Sequence, residues 1–229
     1  TSYPAPANDL CANATQLTPG TGCTYITGTF LGAMMDGATP ACATAAQQDV
    51  WYKFTATDVT NSITLDIISG LNHGFEVIQG GCNGTVVTCV NSGAAGAYES
   101  YYSNDFVPGQ EYYIRVFNAA GTSSFSTFRI CLTKYPTPAN DLCANATEIF
   151  PGTTCSYVSG TFIGATNDGP SVACPSSASV PQDIWYKFVA TEKTYSIYLN
   201  PVSFFNPGFQ IFEGNCSGTP MACVNDFGS

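Results

Sequence analysis

Apolar and polar residues alternate along several short runs of the chain. In residues 62–67, Ile63, Leu65 and Ile67 interleave with Ser62, Thr64 and Asp66. That period of two puts one face of a strand in a core and the other in water. Runs rich in Val, Ile, Thr, Tyr and Phe cover 25–31, 50–55, 63–68, 75–79, 98–102, 112–117 and 125–132 and read as strands. Turn chemistry separates them at Gly70-Leu71-Asn72, Gly80-Gly81, Pro108-Gly109 and Ala120-Gly121. Only residues 8–16, with an Asn or Asp cap and an Ala-rich run, read as a short helix. Strand after strand without helical intervals excludes a parallel α/β fold and predicts an all-β, antiparallel β-sandwich of jelly-roll type.

The pattern is written twice. Pro6-Ala7-Asn8-Asp9-Leu10-Cys11-Ala12-Asn13-Ala14-Thr15 returns unchanged from Pro138 to Thr147, at an offset of 132, the step from Cys11 to Cys143. Gln48-Asp49-Val50-Trp51-Tyr52-Lys53-Phe54 returns as Gln182-Asp183-Ile184-Trp185-Tyr186-Lys187-Phe188, and Cys82 and Cys89 return as Cys216 and Cys223. The expected organisation is a linker at 1–6, a first sandwich at 7–133, a proline-rich linker at 134–138, and a second sandwich at 139–229 without counterparts of the last strands. Alternating prolines make the linkers stiff spacers. The unfinished second copy reads as a window on a longer array, completed by further chain or by strands of a neighbouring subunit.

Composition narrows the partners. Only 10% of the residues are charged, with six Lys and Arg and a formal net charge of -10. Such a chain does not bind nucleic acid or a membrane through a basic face, and it holds no apolar run of membrane-spanning length. The eleven cysteines recur at matched positions, as a disulfide framework of a secreted or cell-surface protein does. The shortest closures pair Cys82 with Cys89 around Asn83-Gly84 and Cys11 with Cys23, which leaves Cys42 to Cys131. Other connectivities stay open to six cysteines. In the second copy the same scheme bonds Cys143, Cys155, Cys216 and Cys223 and leaves Cys174 unpaired or intermolecular. Zinc is disfavoured, since no CxxC occurs and the single His73 stands opposite Pro207.

Candidate chemistry is sparse. A Ser-His-Asp triad would need His73, which the second copy lacks, so no catalytic residue is assigned. Three acids recur: Asp9 with Asp141, Asp36 with Asp168, and Asp49 with Asp183. The preferred reading is local, with Asp9 capping the short helix, Asp36 serving an Asp-Gly turn and Asp49 bonding nearby backbone. The alternative is that they converge on Ca2+, which takes six to eight oxygens. Trp51 to Phe54 reads as core rather than as a ligand platform. Tyr98, Tyr101, Tyr102, Tyr112 and Tyr113 exceed what a core needs, and some are expected to meet glycan or a neighbouring subunit.

Four motifs together resemble a known family: Asn8-Asp9-x-Cys11-x-x-Ala14, Gly28-Thr29-Phe30-x-Gly32-Ala33, the Asp49 to Thr57 strand, and Gly80-Gly81-Cys82-Asn83-Gly84-Thr85. They are similar to the tandem β-sandwich modules, related to the pre-peptidase C-terminal domain, of secreted and surface proteins of the Bacteroidota. The resemblance implies export by the type IX route and a non-enzymatic role as a stalk, adhesin or filament module. It also implies Ca2+ binding in related domains. The unfinished second copy and the surplus tyrosines point to partners that are adjacent repeats of a longer chain, copies of the chain itself, or surface glycans. An accessory domain of a secreted hydrolase is the remaining expectation.

Overall fold

The computed structural model describes residues 3–68, 71–93, 95–121, 125–170, 182–201 and 207–225. The chain divides into two compact units, Thr1–Pro136 and Thr137–Ser229.

Unit one holds nine strands among its described residues: β1 (Thr15–Gln16), β2 (Ile26–Thr29), β3 (Asp49–Thr55), β4 (Thr60–Ile67), β5 (His73–Gln79), β6 (Thr85–Val90), β7 (Glu99–Ser103), β8 (Glu111–Asn118) and β9 (Thr127–Tyr135). They form two sheets, ordered β1-β3-β8-β5-β6 and β2-β9-β4-β7. Apart from the parallel β1–β3 pair, the strand pairs are antiparallel. The alternation read from the sequence sets which side chains meet. Val50, Tyr52 and Phe54 of β3, Phe75 and Val77 of β5, and Ile114 and Val116 of β8 face Ile63 and Leu65 of β4 and Phe128, Ile130 and Leu132 of β9 in one core. Each such burial stabilises the fold by about 1.5–3 kcal/mol. Gly28 is part of this packing, because the Phe128 ring and the Tyr52 hydroxyl fill the space its Cβ would take.

Three expectations are corrected. Residues 8–16 form no α-helix: a single 3-10 turn at Cys11–Asn13 leads into β1, because the Asn8 and Asp9 side chains bond distant backbone instead of their own turn. Residues 85–90, read as part of a cysteine-closed loop, are strand β6. Lys134 and Tyr135 end β9 rather than begin a linker, paired with Asn61 and Thr60. At the start of the chain, Pro4 packs its carbonyl where Gly32, at a φ of 77°, has no side chain, and Tyr3 meets Phe125 edge-on at 5.3 Å.

Unit two is sparser. β10 (Thr147–Glu148) pairs in parallel with β11 (Tyr186–Lys187), and β12 (Phe209–Glu213) pairs with β13 (Thr219–Val224) as an antiparallel hairpin. Among the described residues of unit two these are the only strands, and β11 and β12 are not paired with each other.

Candidate functional site

The most organised polar assembly lies on the outer face of the five-stranded sheet of unit one. Cross-strand pairing sets Trp51, Arg115, Glu76 and Cys89 in one row across β3, β8, β5 and β6. A row of this composition does not face water here. Asp49 and Arg115 are buried, as is Glu76, under residues 34–42 of the loop before β3. Arg115 Nε donates to Asp49 Oδ2 at 2.6 Å, and its Nη1 lies 3.5 Å from Glu76 Oε2 and donates to the Ala38 carbonyl. The guanidinium also stacks over the Trp51 ring, 5.2 Å from its centroid. Burial pushes the Asp49 carboxyl up to about 6, outweighing the attraction of Arg115 and the Asp36 amide.

The recurring acids feed this assembly as backbone acceptors. Asp36 Oδ2 accepts from the Cys11 amide at 2.7 Å, Asp9 Oδ1 from the Met34 amide at 2.8 Å, and Asp49 Oδ1 from the Asp36 amide at 3.0 Å. Asn8 donates its side-chain amide to the Trp51 carbonyl at 2.9 Å. Asp9 therefore holds the loop before β3 and caps nothing; Asp36 reaches 25 residues back to the 3-10 turn. Unit two repeats the pattern: Asp168 Oδ2 accepts from the Cys143 amide, Asp141 Oδ1 from the Thr166 amide, Asp183 Oδ1 from the Asp168 amide, and Asn140 donates to the Trp185 carbonyl. Among the described residues no three His, Cys, Asp or Glu side chains cluster as metal ligands do.

Disulfides tie the same elements together, with a connectivity that replaces the expected one. The bonds are Cys11–Cys82, Cys23–Cys131 and Cys42–Cys89. Cys82 and Cys89 cannot close on each other, because Cys89 lies along β6 while Cys82 sits in the turn before it. The four strand residues between them, 85–88, at about 3.3 Å each carry Cys89 roughly 13 Å along β6, whereas bonded cysteines keep their Cα atoms within about 7 Å. Cys11–Cys82 instead pins the 3-10 turn to the β5–β6 turn, beside Trp51 and Ile78. In unit two, Cys143 bonds Cys216 as Cys11 bonds Cys82, and Cys223 is also disulfide-bonded. Cys155, expected to be bonded, is an exposed free thiol. Cys174, expected as the odd thiol, lies outside the described residues.

The other expected groups fall into place around the core. His73 is fully buried, its Nε2 2.8 Å from Ser126 Oγ and its ring edge-on to Phe30, and burial pulls its pKa down to about 4. No substrate reaches such a pair. The Trp51 strand is core on both faces, with Lys53 at its edge bridged to Glu111 at 3.4 Å. Tyr98 and Tyr102 are exposed, while Tyr112 is buried. Arg115, Glu76 and Glu99 carried no expectation. Glu99, also buried, accepts the Ser92 and Gly93 amides at 3.1 and 2.6 Å. A cleft of about 60 Å³ opens between the sheet edges, lined by Tyr101, Phe106, Tyr112 and Asp105 among others.

Unit one is thus a disulfide-stapled β-sandwich in which a buried charge network holds the loop before β3. The chain belongs to the galactose binding domain-like family associated with type IX secretion, which matches residues 7–130 and 139–229. The tandem modules read from the sequence are those two matched segments. Among solved structures, the pre-peptidase C-terminal domain of collagenase from Bacillus anthracis is 13% identical, with 58% of this chain and 99% of that chain covered and a TM-score of 0.36. PliG of Aeromonas hydrophila, a periplasmic inhibitor of g-type lysozyme, is 13% identical, with 52% and 95% covered and a TM-score of 0.33. At these scores neither adds to the family assignment. A search of curated protein sequences finds no significant match. Family and disulfides together make this a secreted, extracellular β-sandwich module, and among the described residues no helix is long and apolar enough to cross a membrane.

Proposed function

We propose that the chain is a non-catalytic, load-bearing module of a cell-surface stalk, adhesin or filament. The observation that carries this reading is the Cys23–Cys131 bond, which joins the segment before β2 to the last strand across 108 residues. Force applied at the two ends of unit one passes from Cys11 along the chain to Cys23 and then through sulfur to Cys131. Nearly the whole sandwich lies off that path. A strand set between β11 and β12, as β8 is set between β3 and β5, would complete unit two in the same way, supplied by further chain or by a neighbouring subunit.

Single-molecule pulling tests the reading. Oxidised unit one is expected to lengthen only slightly, and reductant should release a further roughly 360–390 Å, the extended length of about 108 residues. Equal lengthening with and without reductant would sink the proposal. A second reading, a glycan-binding adhesin module, is favoured by the family's galactose-binding-like description. Saturable binding on a glycan array, lost on replacing Tyr98 and Tyr102 with Ala, is its test.

A further inference from the structure

The cleft between the sheet edges has the construction of a socket for one cationic side chain. Its floor is aromatic: Phe106 stands 69° to Tyr101 and 79° to Tyr112, with ring centroids 6.1 and 5.0 Å apart. Rings near right angles present faces and edges that box a small volume, and ring faces attract an ammonium group. The parts are held in place. Phe106 and Tyr112 are buried in the core cluster, and the Tyr112 hydroxyl accepts the Val107 amide at 3.0 Å.

Two features shape the opening. On β6, Val87 is the extra residue of a β-bulge between the pairs Val77 with Thr88 and Ile78 with Val86, and it forms one wall. Bulges re-aim side chains beside functional sites. Unit two has the same bulge, with Met221 between Ala222 and Pro220. On the other side Asp105 is exposed at the mouth, with Ser103 Oγ donating to its Oδ2 at 3.1 Å and accepting its amide at 3.1 Å. That fixes a carboxylate over an aromatic floor.

Size decides the ligand class. Sites for free small molecules enclose about 300–1,000 Å³, and this cleft encloses about 60 Å³. It takes the tip of one side chain, not a sugar ring. We propose that it receives a lysine of a partner protein: the aliphatic stem lies against Val87, and the ammonium sits between Asp105 and the partly exposed Tyr101 ring, with Phe106 and Tyr112 as the packed floor. The net charge of -10 favours a basic partner at long range. The socket does not depend on the load-bearing role.

Nuclear magnetic resonance titration of the whole chain tests it with three probes: Nα-acetyl-lysine methylamide, its norleucine counterpart, which keeps the stem and lacks the ammonium, and methyl β-galactoside. The lysine probe should shift the Val87 methyl and Tyr101 and Phe106 ring signals saturably at millimolar concentration. Asp105→Asn, a surface change, should weaken this about tenfold, and Asp105→Lys should abolish it. The socket is overturned by equal shifts from the norleucine probe, by shifts from the galactoside alone, by lysine shifts that survive Asp105→Lys, or by no saturable shift from any probe. Unchanged melting of the variants confirms that the comparison is between folded proteins.

Discussion

The same opening sequence folds into the same local network in both units, yet among the described residues the clusters of buried apolar side chains all lie in unit one. Asn8, Asp9, Asp36 and Asp49 and their counterparts Asn140, Asp141, Asp168 and Asp183 make matching bonds. Around them everything differs. Ile63 and Leu65 are 0% exposed, whereas Ile197 and Leu199, at the matching positions, are 39% and 37% exposed. Tyr52 is 2% exposed and Tyr186 36%. β4 is a strand of eight residues paired with β7 and β9; among the described residues its counterpart in unit two is not a strand. The acid-and-amide network thus forms the same bonds whether its surroundings are buried, as in unit one, or exposed, as at Tyr186, Ile197 and Leu199. β8 is the central strand of its sheet, and it brings Arg115 to Asp49 and Glu76.

The largest expected effect breaks the comparison at matching cysteines. Replacing Cys23 and Cys131 with Ser opens a covalent loop of 108 residues, and should lower the stability of unit one by about 4–5 kcal/mol. Cys155→Ser, at the position of Cys23, should shift unfolding by less than about 0.5 kcal/mol. Urea unfolding of both variants measures the difference, and alkylation of the native protein should mark Cys155 while sparing Cys23. A similar loss in both variants would mean that Cys155 is bonded in solution.

Next comes Arg115→Met, which keeps the stem and removes the charge. Asp49 and Glu76 then lose their cation while buried, and unit one should lose about 3–5 kcal/mol. The network of unit two has no arginine in it, so amide exchange at Cys143 and Asp168 should be unchanged. Protection lost at both Cys11 and Cys143 would show that the two networks are not independent.

How much of this the residues announce follows from what each feature depends on. The seven expected strands of unit one formed, because alternation is a local property that packing rewards directly. β1 was too short to register, and β6 was hidden by reading Cys82 and Cys89 as the ends of a loop, although Thr85 to Val90 is dense in β-branched residues. The cysteine pairing was not legible, since it is set by which strands neighbour each other across two sheets. Arg115 left a signal that went unused: a lone cation in Tyr-Tyr-Ile-Arg-Val-Phe and a lone acid in Phe-Glu-Val-Ile are charges inside apolar strands, and opposite charges in such places tend to meet. The recurring acids were seen, but their partners lie 13 to 25 residues away and follow from the path of the loop before β3.

A smaller effect sharpens the contrast in packing. Gly28→Ala drives a methyl group into the Phe128 ring and the Tyr52 hydroxyl, both closed in by the core, and should cost about 1–3 kcal/mol. Gly160→Ala meets the Tyr186 hydroxyl and the end of Ile184. Tyr186 is partly exposed and can turn outward, so this change should cost distinctly less. Thermal melting of the two variants ranks them, and an equal loss would mean that unit two closes around Tyr186 in solution.

The smallest effect is a slope rather than a loss, and it separates two buried groups of unit one that oppose each other. His73 is pulled from 6.5 down to about 4 by burial. Between those values the unfolded chain takes up a proton that the folded chain refuses, so this group makes stability rise with pH from about 4 to 6.5. Asp49 is raised from 3.8 to about 6. Over that span the unfolded chain sheds a proton that the folded chain keeps, so this group makes stability fall as pH rises from about 4 to 6. The two contributions run against each other in nearly the same window, so each masks part of the other's pH dependence in the unfolding free energy of unit one. His73→Gln removes the rising contribution and should leave stability that falls from pH 4 to 6; Asp49→Asn removes the falling one and should leave stability that rises. Urea unfolding at half-unit steps of pH reads both slopes, and two variants that kept the same slope would refute this opposition. At Pro207, the position matching His73, unit two has nothing to titrate, while burial also raises Asp183. Its network should therefore loosen as pH rises.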